Sequence, residues 1–128
     1  MPLDVPMIRT VGSVDSIALS GLSAQSLRLT VSANNVANLA TNGFQPSRVD
    51  ATADASGGVA TTVQQLSNPA VESQLNGTLV ALSGTDQVAE VATQILAVAA
   101  FRANLKVLEA AQAMDRAVGA IGDPHSAG

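Results

Sequence analysis

The residues able to do covalent or acid–base chemistry are few and poorly placed. The single histidine, His125, stands in Pro124-His125-Ser126, with Asp123 as the nearest carboxylate. A lone tail histidine is far more often solvated than catalytic. A Ser–His–Asp relay is possible by composition, but no nucleophile elbow is present to present a serine. The chain has no cysteine, so disulfides and thiolate metal sites are excluded, and zinc-type ligand spacing is absent. Gly57-Gly58 has no phosphate-loop lysine beside it. The expected set of catalytic, cofactor-binding and metal-ligating residues is therefore empty, and the expectation is a non-enzyme with no cofactor.

Charge narrows the field further. The net charge is −4 with only 6 basic residues. Nucleic-acid binding rests on clustered Lys and Arg, and no such cluster exists. Hydrogen-bonding amides remain: Asn34, Asn35, Asn38 and Asn104. They serve either as ordinary helix-surface amides or as donors and acceptors that fix register in a packed assembly.

The elements that must position these amides are helices. The chain of 128 residues is 47% hydrophobic and only 2% aromatic. Its core must come from Ala, Val and Leu rather than rings, and small side chains let helices approach closely. Met1 to Val11, with Pro2 and Pro6, is expected to be extended. Ser13 or Asp15 is the expected N-cap of a first helix that runs to about Thr41. Asn42-Gly43 supplies a left-handed cap, Phe44 folds back on the last turn, and Pro46 blocks continuation. The expected organisation is one domain: 12–44 the N-terminal helix and cap, 45–84 a variable middle, 85–121 the C-terminal helix and 122–128 a tail. In the middle, Asp50 to Gly58 reads as loop and Val59 to Leu66 is too mixed for a strand. Asn76-Gly77, between Val71–Leu75 and Thr78–Leu82, signals a hairpin.

The expected fold class is mainly α: long N- and C-terminal helices paired as a coiled-coil-like hairpin, with a short irregular, β-containing middle. Over Val11 to Phe44 only Asp15 and Arg28 carry charge. An exposed helix normally presents a charged or polar face to water, so this surface is built to be covered. Leu22, Leu29 and Val36 share one stripe, flanked by Leu19 and Ala33. Leu27 and Val31 fall nearly opposite, beside Ala24, Asn34 and Asn38. On the second helix the apolar positions run Val88, Val91, Ile95, Val98, Phe101, Leu105, Leu108, Met114, Val118, Ile121. Leu96 and Val107 lie off that path. Extra three-residue steps make the stripe drift, which suits several neighbours in turn. The longest apolar run, Ile95 to Phe101, is shorter than the roughly 20 residues of a spanning helix.

The first helix also carries a resemblance. Ser20-Gly21-Leu22, Leu29-Thr30-Val31, Asn34-Asn35-Val36-Ala37-Asn38 and Thr41-Asn42-Gly43-Phe44 together resemble the N-terminal segment of bacterial flagellar rod and hook proteins. Asp86 to Ile121 resembles the C-terminal helix of the same family, with Phe101-Arg102-Ala103-Asn104 where the family has an aromatic followed by a polar segment ending in Asn. The motif set is closer to hook and distal-rod proteins, the length to a small basal-body rod protein. The resemblance implies a structural subunit of the basal-body rod whose terminal helices assemble into a torque-transmitting tube. It implies as partners other flagellar rod or hook subunits and the flagellar type III export apparatus, with no nucleic acid and no small-molecule substrate. It implies a periplasmic rod location. Met1 to Thr10 lacks a basic start and an apolar core, so export without a cleaved signal is expected. The alternative is a helical chaperone or adaptor that covers apolar helices of an exported protein.

On this reading the assembly interface comprises Leu22, Leu27, Leu29, Val31, Asn34, Asn35, Val36, Asn38 and Phe44 from the first helix and its cap. From the second helix it comprises Ile95, Val98, Phe101, Asn104, Leu105 and Leu108. The resemblance favours a register-fixing role for the four asparagines.

Overall fold

Proline suits the first turn of a helix, where its missing N–H has no intrahelical partner to lose. The first helix starts at Pro6. The computed structural model describes residues 6–67 and 72–122. Helix α1 spans Pro6–Ala37 and helix α2 spans Gln87–Gly122. Strands β1 (Ser47–Ala53), β2 (Val59–Gln65), β3 (Glu72–Leu75) and β4 (Thr78–Ala81) lie between them. Residues 6–11 are thus helical rather than extended, and Asp15 sits inside the helix instead of capping it. His125 and Val71 lie outside the described residues.

α1 ends at Ala37, four positions before the expected Thr41. Asparagine ends it. The Asn38 amide N–H is shared between the carbonyls of Asn34 and Asn35, at 3.2 Å each. The Asn38 side chain donates to the same Asn34 carbonyl at 2.9 Å, and Thr41 Oγ1 donates to Asn38 Oδ1 at 3.0 Å. Gly43 is left-handed as expected, with φ +75°. It serves a separate turn closed by Phe44 N–H to the Thr41 carbonyl at 3.2 Å, where a positive φ at the third position favours glycine. At the other end Asp86 caps α2. Its Oδ1 accepts the N–H groups of Val88 at 3.0 Å and Ala89 at 3.3 Å, the bonds an N-cap side chain makes to the first turn.

The middle contains two antiparallel hairpins, β1-β2 and β3-β4. Asn76 (φ 50°) and Gly77 (φ 78°) form the expected tight turn between β3 and β4. The first hairpin corrects the loop reading of residues 50–58 and the non-strand reading of 59–66. Only Asp54–Gly58 turns. Asp54 Oδ1 accepts the Ser56 N–H at 3.0 Å and Ser56 Oγ–H at 2.8 Å, and Gly57 and Gly58 supply positive φ. Polar side chains that fold onto their own backbone commonly build turns this way.

α1 and α2 are antiparallel neighbours, since Asn35 meets Glu90, Ser32 meets Gln94 and Gly21 meets Asn104. Buried or half-buried positions run Val14, Ala18, Gly21, Gln25, Arg28, Ser32, Asn35 on α1 and Glu90, Gln94, Ala97, Phe101, Asn104, Leu108, Ala111 on α2. Steps of four and three alternate on both helices, which keeps each seam facing its partner. This seam differs from the expected drifting stripe. Val88, Val91, Ile95, Val98 and Leu105 are exposed. Leu22, Leu29 and Val36 flank the α1 seam on one side, and Leu27 and Val31 on the other, at 100° per residue.

Candidate assembly surface

Small and polar side chains occupy the seam. The buried apolar residues among those described are Ala18, Ala24, Pro46, Ala97 and Ala111. The largest fully buried side chains are Asn35 and Ser32, each 1% exposed. A buried amide must satisfy its donors and acceptors, and Asn35 does so across three elements. Its Nδ2 donates to the Ser47 carbonyl at 2.7 Å and to Glu90 Oε1 at 2.8 Å. Its Oδ1 accepts the Ser47 N–H at 2.9 Å. Its backbone carbonyl accepts Thr85 Oγ1–H at 3.0 Å. Gln94 Nε2 donates to Ser32 Oγ at 3.1 Å, and Ser32 Oγ donates to the Glu90 carbonyl at 3.3 Å. The second asparagine of the Asn-Asn motif therefore ties α1, β1 and the start of α2 into one unit.

A second junction lies about four turns back along α1, at Ser20-Gly21. A Cβ on Gly21 would overlap the Asn104 side chain, whose Nδ2 donates to the Ala100 carbonyl at 2.9 Å. Glycine is required here for close approach, and the two sequence motifs that resemble one family touch at this point. Ser20 serves the hairpin tip. Its Oγ donates to the Ile17 carbonyl at 2.6 Å and accepts the Val59 N–H at 3.2 Å. A Cβ on Gly58 would overlap Ser20 Oγ. The span agrees with geometry: Ser20 to Asn35 along a helix is about 22 Å, and a seven-residue strand from base to tip is about 23 Å.

The fifteen expected interface residues separate into three groups. Asn35 and Asn104 spend their hydrogen bonds within the chain, so they fix its own register. Asn38 and Phe44 shape the turn after α1; the Phe44 carbonyl accepts the Gly84 N–H at 2.8 Å. Asn34 is exposed, and its carbonyl serves Asn38. The remainder are aliphatic or aromatic. Leu22, Leu27 and Phe101 line one groove with Ser23, Ser26 and Thr30. Ile95 and Val98 line another with Arg102. Leu29, Val31, Val36 and Leu108 are half-buried, and Leu105 is exposed. Sequence reasoning missed Ser20, Ser32, Ser47, Thr85, Glu90 and Gln94. A polar residue on a helix seam was the available signal for Ser32, Glu90 and Gln94.

Large apolar side chains are left on the outside. Val88 is 79% exposed, Leu96 70% and Ile95 64%. An 18-residue window within α2 reaches a mean hydropathy of 1.3, so by length and composition this helix is able to cross a membrane. The short uninterrupted run Ile95–Phe101 understated this. Arg102 and Asn104 lie in the same helix, and a charge at a bilayer centre costs about 2.5–3.5 kcal/mol on insertion scales. Residues 16–45 match the family model described as flagella basal body rod protein. The match supports the flagellar rod family, a structural family of the bacterial basal body, and it covers Ser20-Gly21, the Asn-Asn motif and Thr-Asn-Gly-Phe. A search of the curated proteins finds no match to the chain.

Proposed function

We propose that this chain is a structural subunit of the flagellar basal-body rod that self-assembles through the outer faces of its terminal helices and helps transmit torque for motility. One observation carries the reading beyond the family match. Among the described residues no Leu, Ile, Val, Met or Phe is buried, whereas Val88, Ile95, Leu96, Leu79 and Leu75 are each 60% exposed or more. Full burial of such a side chain is worth about 1.5–3 kcal/mol relative to exposure. Two helices cover one face of each other and leave the rest to neighbouring subunits. The partners are other rod or hook subunits, reached through the flagellar type III export apparatus without a cleaved signal, at the periplasmic rod.

The paired helices form a coiled-coil-like hairpin, held at Asn35–Glu90 and Gly21–Asn104. The apolar flanks at Leu22, Leu27, Leu29, Val31 and Val36, with Ile95, Val98, Phe101, Leu105 and Leu108, form the intersubunit faces. Leu27→Asp tests this. It puts a carboxylate beside Phe101 in the Leu22–Leu27 groove, where burial by a neighbour would strand an unpaired charge. The expected result is loss of swimming with the protein still produced. Normal swimming would remove this face from the interface.

A further inference from the structure

Hairpin β1-β2 offers an open strand edge whose composition matches itself. The phase of its ladder is fixed at both ends. Leu66 N–H donates to the Pro46 carbonyl at 2.8 Å, and Asp54 N–H donates to the Gly58 carbonyl at 3.0 Å. Hydrogen-bonded and non-hydrogen-bonded pairs alternate in an antiparallel ladder. With the observed register, even-numbered residues face the partner strand, and odd-numbered residues point their N–H and C=O outward. The flanking contacts agree. On β1, outward-facing Ser47 is bound on both its N–H and its C=O by the Asn35 amide. On β2, outward-facing Val59 N–H is taken by Ser20 Oγ. Thr61, Val63 and Gln65 have no hydrogen-bond partner for their outward groups.

The two edges differ. β1 lines the cavity of about 290 Å³ against Ala89, Glu90 and Thr93 of α2, and it carries the Arg48–Asp50 ion pair at 3.1 Å. β2 reads VATTVQQ, with neither charge nor proline. Charged residues, proline and bulges are the usual protection against edge-to-edge pairing, and β2 has none of them. We propose that the β2 edge pairs antiparallel with β2 of a second copy of this chain, centred on Val63. In that register Val63 exchanges two hydrogen bonds with Val63 of the other copy, and Thr61 pairs with Gln65 on each side. Every outward donor meets an acceptor, and no like charges face one another. The occupant is a second copy because the free groups at 61, 63 and 65 are symmetric about Val63. The contact uses neither helix face, so it stands or fails independently of the rod reading.

The absence of cysteine makes the test clean. In a hydrogen-bonded antiparallel pair the Cα atoms lie about 5.5 Å apart, within the range a disulfide bridges. Full-length Val63→Cys, oxidised at the concentration where the chain associates, is expected to form a disulfide-linked dimer. Thr61→Cys is the register control: its two copies would sit roughly 14 Å apart and should stay unlinked, yet Thr61→Cys mixed with Gln65→Cys should cross-link. Val63→Lys should abolish the protection of the Thr61 and Gln65 amides from hydrogen exchange that appears on concentration. Failure of Val63→Cys to link, or equal linking by Thr61→Cys alone, would overturn the proposal.

Discussion

Gly21 gives the most discriminating perturbation, because two effects of opposite sign compete there. Glycine inside a helix is less favourable than alanine by about 0.5–1 kcal/mol. At an uncrowded position Gly21→Ala would therefore stabilise α1. Here the new Cβ overlaps Asn104. Asn104 must then rotate and give up its bond to the Ala100 carbonyl, or the helices must separate. Overpacking costs about 1–3 kcal/mol, so the net expectation is destabilisation by about 1 kcal/mol. In an Asn104→Ala background the obstruction is gone, and Gly21→Ala should instead stabilise by up to about 1 kcal/mol. The assay is denaturant unfolding of all four proteins at one fixed concentration, read as midpoint shifts at constant slope. If Gly21→Ala stabilises both backgrounds equally, the close approach of α1 and α2 at Asn104 is wrong.

Other perturbations address the remaining joints. Asn35→Ala leaves the Ser47 N–H and C=O without their side-chain partner, and each unsatisfied buried group costs about 1–3 kcal/mol; circular dichroism melting should show a large loss, and an unchanged melt would refute the tie to β1. Phe101→Ala should cost about 2 kcal/mol in the isolated chain, below the 3–5 typical of full burial because the ring is half-covered, and should block incorporation into basal bodies; wild-type recovery would show that the ring is no packing anchor. The Asp54 carboxyl is held below its ordinary value of 3.8 by hydrogen bonds from the Ser56 N–H and then the Ser56 hydroxyl. Its contribution to the hairpin tip is fully present above 3.8 and lost as pH falls through the lower folded value. Ser56 amide shifts across a pH titration should follow that loss, and a Ser56 amide indifferent to pH would exclude the turn bonds.

The sequence announced elements better than contacts. The Asn76-Gly77 turn and the Asp86 start of α2 were legible because their signals are local: a dipeptide that accepts positive φ, and a carboxylate beside free N–H groups. β1 and β2 were not, because their support is remote. Ser47 is bound by Asn35 and Val59 by Ser20, and neither partner is suggested by a strand pattern. The seam was misread for a related reason. Apolar side chains normally mark a helix's buried face, but this chain buries Ala, Ser, Gly and Asn and leaves its larger aliphatics outside. The asparagine motif was recognised, yet its residues were assigned to neighbours because a single amide bridging three elements is visible only in three dimensions.

The central claim is that the chain is a building block of the rod. Basal bodies purified after detergent extraction, from cells carrying an epitope-tagged full-length chain, test it most directly. The account predicts the subunit in the rod fraction, retained through washing and lost in the Leu27→Asp variant. Recovery of the wild-type chain only as a cytosolic monomer or dimer, bound to another exported protein and absent from basal bodies, would contradict it.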